Sequence, residues 1–207
     1  MEFETNKILI DSITPETANI LSNLGEVVID NLDLVDGVLK EVPIVSSLIS
    51  FGKIGFNVSN QLFLKKFALF IKASENVKNS AAFASFKKEI SNPDKREKVS
   101  HHLLEIIDKT IEEEKIRIYS TLFDKYVNGI LTWDEFYILT LTVYDLHILG
   151  IQFLKEILDD SDLDKNISVP RDFREGYLAT AGLSQRNGAQ IKISDHGKKL
   201  YIYGFHQ

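Results

Sequence analysis

One pair of histidine and glutamate side chains has the helical spacing of two metal ligands. His101 and Glu105 are four residues apart, so both side chains would lie on one face of an α-helix. A tetrahedral metal site needs further ligands, and the sequence contains five histidines in all and no cysteine. We therefore interpret the pair as part of a solvated helix start and predict no metal site.

Part of a calcium-binding pattern surrounds Gly129. When Gly129 is taken as the sixth position of a loop, Asp124 is the first position and Glu135 the twelfth, which resembles an EF-hand. Tyr126 stands at the third position, where the ion needs an oxygen ligand. Thr132 and Glu135 also have the spacing of a capping box, which explains both residues without a metal ion. We predict a helix start here and no bound calcium.

No signature of a known enzyme class accompanies these residues. The sequence has no G-x-S-x-G, no H-E-x-x-H, no Gly-rich phosphate loop and no G-x-G-x-x-G. Without cysteine it also lacks a thiolate nucleophile. We predict a protein that is not an enzyme, with no catalytic residues and no cofactor.

The most apolar stretch of the chain, residues 42–64, carries one formal charge, that of Lys53. Five of its polar residues recur at the spacing of a single narrow stripe on a helix, and most of the remaining helix surface is apolar. Such a helix must be enclosed by its own protein, by a partner or by lipid. We predict that Lys53, together with Leu48, Phe51 and Phe56, contacts a partner or a membrane.

The one basic cluster compatible with nucleic acid lies near the C-terminus. The residues are Arg171, Arg174, Arg186, Lys192 and Lys198. The whole chain has a net charge of −6 and a pI near 5.4, which argues against nucleic-acid binding by the molecule as a whole. DNA binding through this cluster is therefore an alternative hypothesis.

The elements that must position these residues are mostly helices. Apolar residues recur at helical spacing through most of residues 1–158, between recognisable start and stop signals. From residue 81 on, we predict helices at 81–90, from Pro93 to about Lys109, at 112–127, and from Thr132 to about Leu158. The fold class is mainly α, a bundle of six to eight helices over residues 1–158.

The composition changes at Asp159, where an acidic and polar segment begins and continues to Pro170. We predict that residues 159–170 are a linker and that residues 171–207 form a small α+β tail. Within the tail we predict a helix at 171–181, a turn at Gly182, a loop through Asn187-Gly188, a strand at 190–194 and a last helix from Asp195 to about Tyr203.

Two segments resemble known families. In the tail, Gly182-Leu183 and the pattern of Ser194, Gly197 and Leu200 resemble the second half of a winged-helix domain. That resemblance implies a unit that binds DNA or docks a protein. Further upstream, Val42-Pro43, Lys53-Ile54-Gly55 and LFLKKFALF at 62–70 resemble a family of small helical bacterial proteins with no assigned activity. This second resemblance implies no catalytic residues.

Three hypotheses for the function follow. The first is a non-enzymatic helical interaction or regulatory protein with a protein partner, in a bacterial stress or phage-defence setting. The second is a membrane-acting effector that inserts the helix at 43–64, whose length suffices for a span. The third is a DNA-binding regulator that uses the tail. The N-terminal residues show no signal-peptide pattern, so we expect a cytoplasmic protein. The oligomeric state is left open.

Overall fold

The computed structural model describes residues 63, 65–67, 69, 70, 73, 81–159 and 161–206. Leu48, Phe51, Lys53 and Phe56 lie outside these described residues, so their assignment to a partner or membrane contact stays a prediction.

The described part of the chain is mainly helical, as predicted. Between residues 81 and 206 its helices are α1 (Ala81–Ile90), α2 (Pro93–Lys109), α3 (Glu113–Val127), α4 (Trp133–Asp145), α5 (Ile148–Leu158), α6 (Glu175–Thr180) and α7 (Asp195–Gly204). The strands are β1 (Ile167–Ser168), β2 (Ser184–Asn187) and β3 (Gln190–Ile193). They form an antiparallel sheet in the order β1-β3-β2. The prediction of a helical bundle followed by a small α+β tail is confirmed.

Local capping signals fix several helix ends where the sequence predicted them. Asn92 accepts hydrogen bonds from the backbone N–H groups of Asp94 and Lys95 at 2.9 and 3.2 Å, which begins α2. Thr132 and Glu135 form the predicted capping box at the start of α4. Gly129 has a φ of +71° just beyond the end of α3, a conformation that glycine adopts without strain.

Helix α3 is the most enclosed helix of the described part of the chain. Its residues Ile116, Tyr119, Leu122 and Phe123 are fully buried, and it packs against α1, α4 and α7. Because most of the α3 surface is covered, the neighbouring helices must each direct an apolar face toward it. The core therefore continues from the bundle into the tail, and one cluster of buried side chains includes residues of both.

Two buried lysines bind the carboxyl ends of helices. Lys66 donates through Nζ to the carbonyl oxygens of Asp108 and, at 3.0 Å, Thr110, where α2 ends. Lys115 donates to the carbonyl of Tyr144 in the last turn of α4 at 2.9 Å. A cation at this end of a helix pairs with carbonyls that have no partner within the helix and with the negative end of the helix dipole.

The prediction of one long helix from Thr132 to Leu158 is wrong. The chain breaks at Leu146 and His147, which both have extended backbone angles, and α4 and α5 meet at 113°. His147 begins α5 because its side chain accepts a hydrogen bond from the backbone N–H of Leu149 at 3.2 Å. Apolar residues continue at helical spacing across the break, so periodicity alone does not reveal it.

The tail departs from the predicted boundaries in three places. The predicted helix 171–181 is shorter, because Asp172 and Glu175 form side-chain hydrogen bonds to backbone N–H groups that make a turn before α6. The segment before Gly188, predicted as a loop, is the strand β2, which pairs with β3 across a turn at Gly188. Strand β1 lies inside the segment 159–170 that was predicted as a linker.

Among the described residues, no single helix combines the length and apolar character needed to cross a membrane. Helices α4 and α5 meet that test only when taken together, across their 113° bend.

Candidate functional site

Helix α4 has a second apolar face that the core does not use. Phe136, Leu139 and Val143 point into the core and are buried, whereas Tyr137 and Ile138 are 38% and 53% exposed. We use the name α4 ridge for the exposed Tyr137 and Ile138 together with the half-buried Leu141 and Tyr144, of which Tyr144 also packs against the core. A helix of 13 residues is about 20 Å long, so the α4 ridge is long enough to contact a partner helix over several turns.

A groove of about 620 Å³ runs along one side of the α4 ridge, between α2 and α4. Its charged rim consists of Asp94, Glu97, Lys98, Glu105 and Lys109, and its remaining lining consists of His101, His102, Ile106, Trp133, Tyr137, Leu141 and Tyr144. We call it the α2–α4 groove. A volume of this size is typical of ligand sites in proteins.

Aromatic rings form the floor at one end of the α2–α4 groove. The ring centroids of His102 and Tyr137 are 4.6 Å apart, and those of Trp133 and Tyr137 are 5.7 Å apart. Trp133 also contacts Tyr126 and Phe136 of the aromatic core at 5.8 and 5.9 Å. The outer rings are thus held in place by rings that are themselves buried.

The buried His102 is neutral, and its hydrogen bonds assign its tautomer. Thr140 Oγ1 is within 2.9 Å of the Phe136 carbonyl and 3.0 Å of the Tyr137 carbonyl, so its hydroxyl proton is donated to the helix backbone. His102 Nε2, at 2.7 Å from the same Oγ1, must therefore be the donor in their shared bond. Burial lowers the pKa of His102 from 6.5 to about 4, so that Nδ1 carries no proton at neutral pH.

The rim of the α2–α4 groove carries carboxylates without a cationic partner. Glu105 pairs with Lys109 at 2.6 Å. Within the described ranges, Asp94 and Glu97 take part in no ion pair. The rim thus holds three carboxylates and two lysines, and the charges of Asp94 and Glu97 are available to a ligand.

A second groove, of about 760 Å³, lies between α4 and the tail. It is lined by Ile138, Leu141, Thr142, Asp145, Leu146, His147, Tyr177, Thr180 and Ala181. We call it the α4–α6 groove. The rings of His147 and Tyr177 stack at 4.5 Å with an angle of 12° between their planes, and this stack joins the bundle to α6. The α4 ridge separates the two grooves, and its residue Leu141 lines both of them.

Polar contacts also hold the tail against the bundle. Lys199 pairs with Glu135 at 2.6 Å, and the Tyr201 hydroxyl donates to Asp159 at 3.0 Å. His196 Nε2 lies 2.8 Å from Thr142 Oγ1 on α4. The hydrogen bonds from Lys199 and Thr132 lower the pKa of Glu135 to about 2. Glu135, the closing residue of the calcium-like pattern, thus serves the cap of α4 and the attachment of α7.

The metal-like patterns do not converge on a site. Asp124 is buried within α3, and Glu135 lies at the start of α4 in its capping box. Over the residues that the structure describes, no group of three or more histidines and carboxylates has a geometry that could hold a metal ion.

The basic residues predicted for nucleic-acid binding are mostly paired with carboxylates. Arg174 binds Asp172 at 2.7 Å and Glu156 at 2.8 Å. Arg186 pairs with Glu175, and Lys198 pairs with Asp164 at 2.7 Å. Arg171 and Lys192 are exposed, and neither is in an ion pair with a described residue. Only these two of the five basic residues therefore have charges that no described carboxylate pairs with. The assignment of all five as nucleic-acid contacts stays a prediction.

No family model, curated protein or solved structure gives a match to this chain. The resemblances to a winged-helix domain and to a family of helical bacterial proteins therefore stay predictions.

Sequence reasoning missed the α4 ridge, although a signal for it exists. Residues 136–139 are consecutive apolar residues, and a helix that buries only one face needs only three or four apolar positions in every seven. The sequence prediction of one long helix from Thr132 to about Leu158 does not divide these residues between faces. In the structure they supply an inner face and an outer one.

Proposed function

We propose that this protein is a non-enzymatic interaction protein that binds a protein partner along the α4 ridge. The observation that carries this proposal is the second apolar face of α4, which lies between two grooves and includes Ile138 at 53% exposure. Single exposed apolar residues are ordinary on protein surfaces, whereas a contiguous apolar strip rimmed by polar groups is typical of an interaction site.

The shape of the surface favours a helical partner segment. A straight trough beside a helix of about 20 Å accepts an amphipathic helix whose apolar residues recur at every third or fourth position. The partner's apolar side chains would enter the α2–α4 and α4–α6 grooves on either side of Leu141. This mode of binding needs no catalytic group, which agrees with the absence of enzyme motifs from the sequence.

The carboxylates that line the two grooves outnumber the lysines by four to two, which favours a basic partner. Asp94 and Glu97 line the α2–α4 groove and Asp145 lines the α4–α6 groove, and none of the three is in an ion pair with a described residue. A second copy of this chain is a poor occupant, because each copy has a net charge of −6 and would bring the same acidic rim. Lysine or arginine residues beside the apolar positions of the partner would complement the rim.

Site-specific photo-crosslinking in the cells that produce the protein tests this proposal. A benzophenone side chain replaces Tyr137 on the α4 ridge or, as a matched control, Ile202 on α7, which is 41% exposed and lies outside both grooves. We expect position 137 to yield one dominant cross-linked peptide that mass spectrometry identifies as a basic amphipathic segment. Position 202 should not yield it.

A substitution on the same surface provides the second arm of this test. Ile138→Asp places a carboxylate on the exposed side of α4, so it should remove the cross-link from position 137 without changing the thermal unfolding midpoint. Ile202→Asp should leave the cross-link intact. The proposal is overturned if Ile138→Asp has no effect on the cross-link, or if both positions capture the same proteins.

A further inference from the structure

A cation of the chain itself already occupies the aromatic end of the α2–α4 groove. Lys98 Nζ lies 5.1 Å from the centre of the Trp133 ring, within the range of a cation–π interaction. Lys98 is exposed and forms no ion pair with a described residue, so little besides the ring holds its ammonium group there. The ring face of Trp133 is therefore a place where this protein stabilises a positive charge.

The surroundings of that ring face suit a cation better than an uncharged group. Tryptophan offers the strongest cation–π partner among the aromatic side chains, and Tyr137 extends the ring surface beside it. Asp94 and Glu97 on the rim add negative charge. The neutral imidazole of His102 adds ring surface without adding repulsion.

The α2–α4 groove continues beyond its Trp133 end, so this end is not a closed cage of the kind that binds a small cation. Ile106, Leu141 and Tyr144 continue the lining along α2 and α4 away from Trp133. An occupant with one cationic group followed by apolar groups fits this sequence of surfaces. A lysine or arginine within an amphipathic helix has that arrangement.

We infer that the end of the α2–α4 groove at Trp133, Tyr137, Asp94 and Glu97 is a recognition pocket for a lysine or arginine side chain of the protein partner, and that Lys98 fills this pocket when the partner is absent. This inference rests on the proposed function. Lys98 then acts as a competitor that the partner's cation must displace. Removing the Lys98 ammonium group should strengthen binding of a basic ligand, although it leaves the pocket walls unchanged.

Titration with amidated hexalysine tests the inference on the purified full-length chain. Trp133 is the only tryptophan, so its emission reports binding at the pocket directly. We expect hexalysine to change this emission and hexaglutamate to leave it unchanged at the same ionic strength. Calorimetry gives the affinity for each variant below.

Three substitutions separate the pocket from a general charge effect. Lys98→Met keeps the aliphatic stem and should bind hexalysine about two- to fivefold more tightly, the factor that one exposed cation–π interaction contributes. Lys95→Met is the matched control, since it removes the same charge from α2 at a residue that pairs with Glu89 instead. Trp133→Phe is made in the Lys98→Met background, where no internal cation competes for the ring, and there it should weaken hexalysine binding by a similar factor.

Each outcome decides the inference. Equal gains from Lys98→Met and Lys95→Met would overturn it, and so would an affinity that Trp133→Phe leaves unchanged in the Lys98→Met background. Tetramethylammonium binding as tight as that of hexalysine would also overturn it, since the pocket would then belong to a small organic cation. If the cross-link at position 137 fails while these titrations succeed, the proposed function is wrong and the cation pocket stands. The reverse pattern keeps the function and removes the pocket.

Discussion

At the scale of single residues, His102 connects the core to the candidate surface. Its ring is 5% exposed, its Nε2 is bound to Thr140, and its other edge contributes to the α2–α4 groove. Burial favours the uncharged form, so the residue remains neutral across the physiological pH range. The same burial makes the stability of the fold depend on pH.

The first prediction concerns that pH dependence. The pKa of His102 is about 4 in the folded protein and 6.5 in a model peptide, so the unfolded chain takes up the proton first as the pH falls. The contribution of neutral His102 to the free energy of unfolding is fully present above pH 6.5 and is lost as the pH falls from 6.5 to 4. The total loss is about 3 kcal/mol. Urea unfolding at pH 7 and pH 4.5, followed by Trp133 emission, measures the change.

Two variants isolate this effect from the titration of carboxylates. His102→Gln keeps a donor for Thr140 but does not titrate, so its loss of stability between the two pH values should be smaller than that of the natural chain. His101→Gln removes an exposed neighbour that lowers the pKa of His102 less than burial does, so it should reduce the loss only slightly. Parallel pH profiles for the natural chain and His102→Gln would show that His102 is not the source.

The second prediction concerns Lys115, which is 6% exposed. Lys115→Met fills the same space but leaves the Tyr144 carbonyl without its donor, so we expect the free energy of unfolding to fall by about 1–3 kcal/mol. Arg117→Met on the exposed side of the same helix should change it by less than about 0.5 kcal/mol. Equal effects in chemical denaturation would mean that the capping of α4 by Lys115 contributes nothing.

At the scale of elements, the 113° bend between α4 and α5 determines where the tail attaches. Gly150 in the first turn of α5 lets the chain approach Tyr177 closely, since a Cβ at this position would lie 2.8 Å from the Tyr177 Cβ and 2.9 Å from Leu146 Cδ1. A side chain there would force α5 and α6 apart. The α4–α6 groove depends on this close contact.

The third prediction is that Gly150→Ala destabilises the protein. Alanine favours a helix by about 1 kcal/mol over glycine, but the clash with Tyr177 and Leu146 should exceed that gain and give a net loss of about 1–2 kcal/mol. Gly176→Ala is the control, because an added Cβ there meets nothing within 4 Å and α6 gains the better helix former. In thermal unfolding, Gly150→Ala should have a lower midpoint than the natural chain and Gly176→Ala a higher one.

The elements also show which features are readable from sequence. Side-chain capping at Asn92 and Thr132 and the glycine at 129 act within a few residues, so the sequence alone predicted those helix ends correctly. The break at His147 was missed because histidine is not among the usual helix-capping residues, and β2 is a polar segment whose pairing depends on β3. The α4 ridge is not readable from the sequence, because apolar residues on two faces of a helix do not show which face the core covers.

At the scale of the whole molecule, the bundle and the tail share one core. Leu200 of α7 is fully buried, and an added Cβ at Gly204 would lie 3.1 Å from Ile118 of α3. Surface ion pairs such as Lys199–Glu135 contribute less than about 1 kcal/mol each, so apolar packing must supply most of the attachment. The described residues of the two predicted domains, 1–158 and 171–207, therefore share one hydrophobic interior.

The fourth prediction follows from that shared interior. Leu200→Ala should lower the free energy of unfolding by about 2–5 kcal/mol. The loss should appear equally in Trp133 emission, which reports on the bundle, and in hydrogen exchange of β3, which reports on the tail. Lys192→Ala, an exposed change on β3, should shift neither probe appreciably. If Leu200→Ala accelerates hydrogen exchange of β3 but does not change the unfolding transition measured by Trp133 emission, the tail unfolds independently of the bundle.

Leu141 gives the surface a property that neither groove has separately. Its side chain lines both the α2–α4 groove and the α4–α6 groove, so a rotamer that widens one space narrows the other. Ligands in the two grooves would then be energetically coupled, and the coupling would be reciprocal: a ligand in one groove would change the affinity of the other groove by the same factor in both directions. Through Leu141, the tail side of α4 would respond to a ligand that enters the α2–α4 groove.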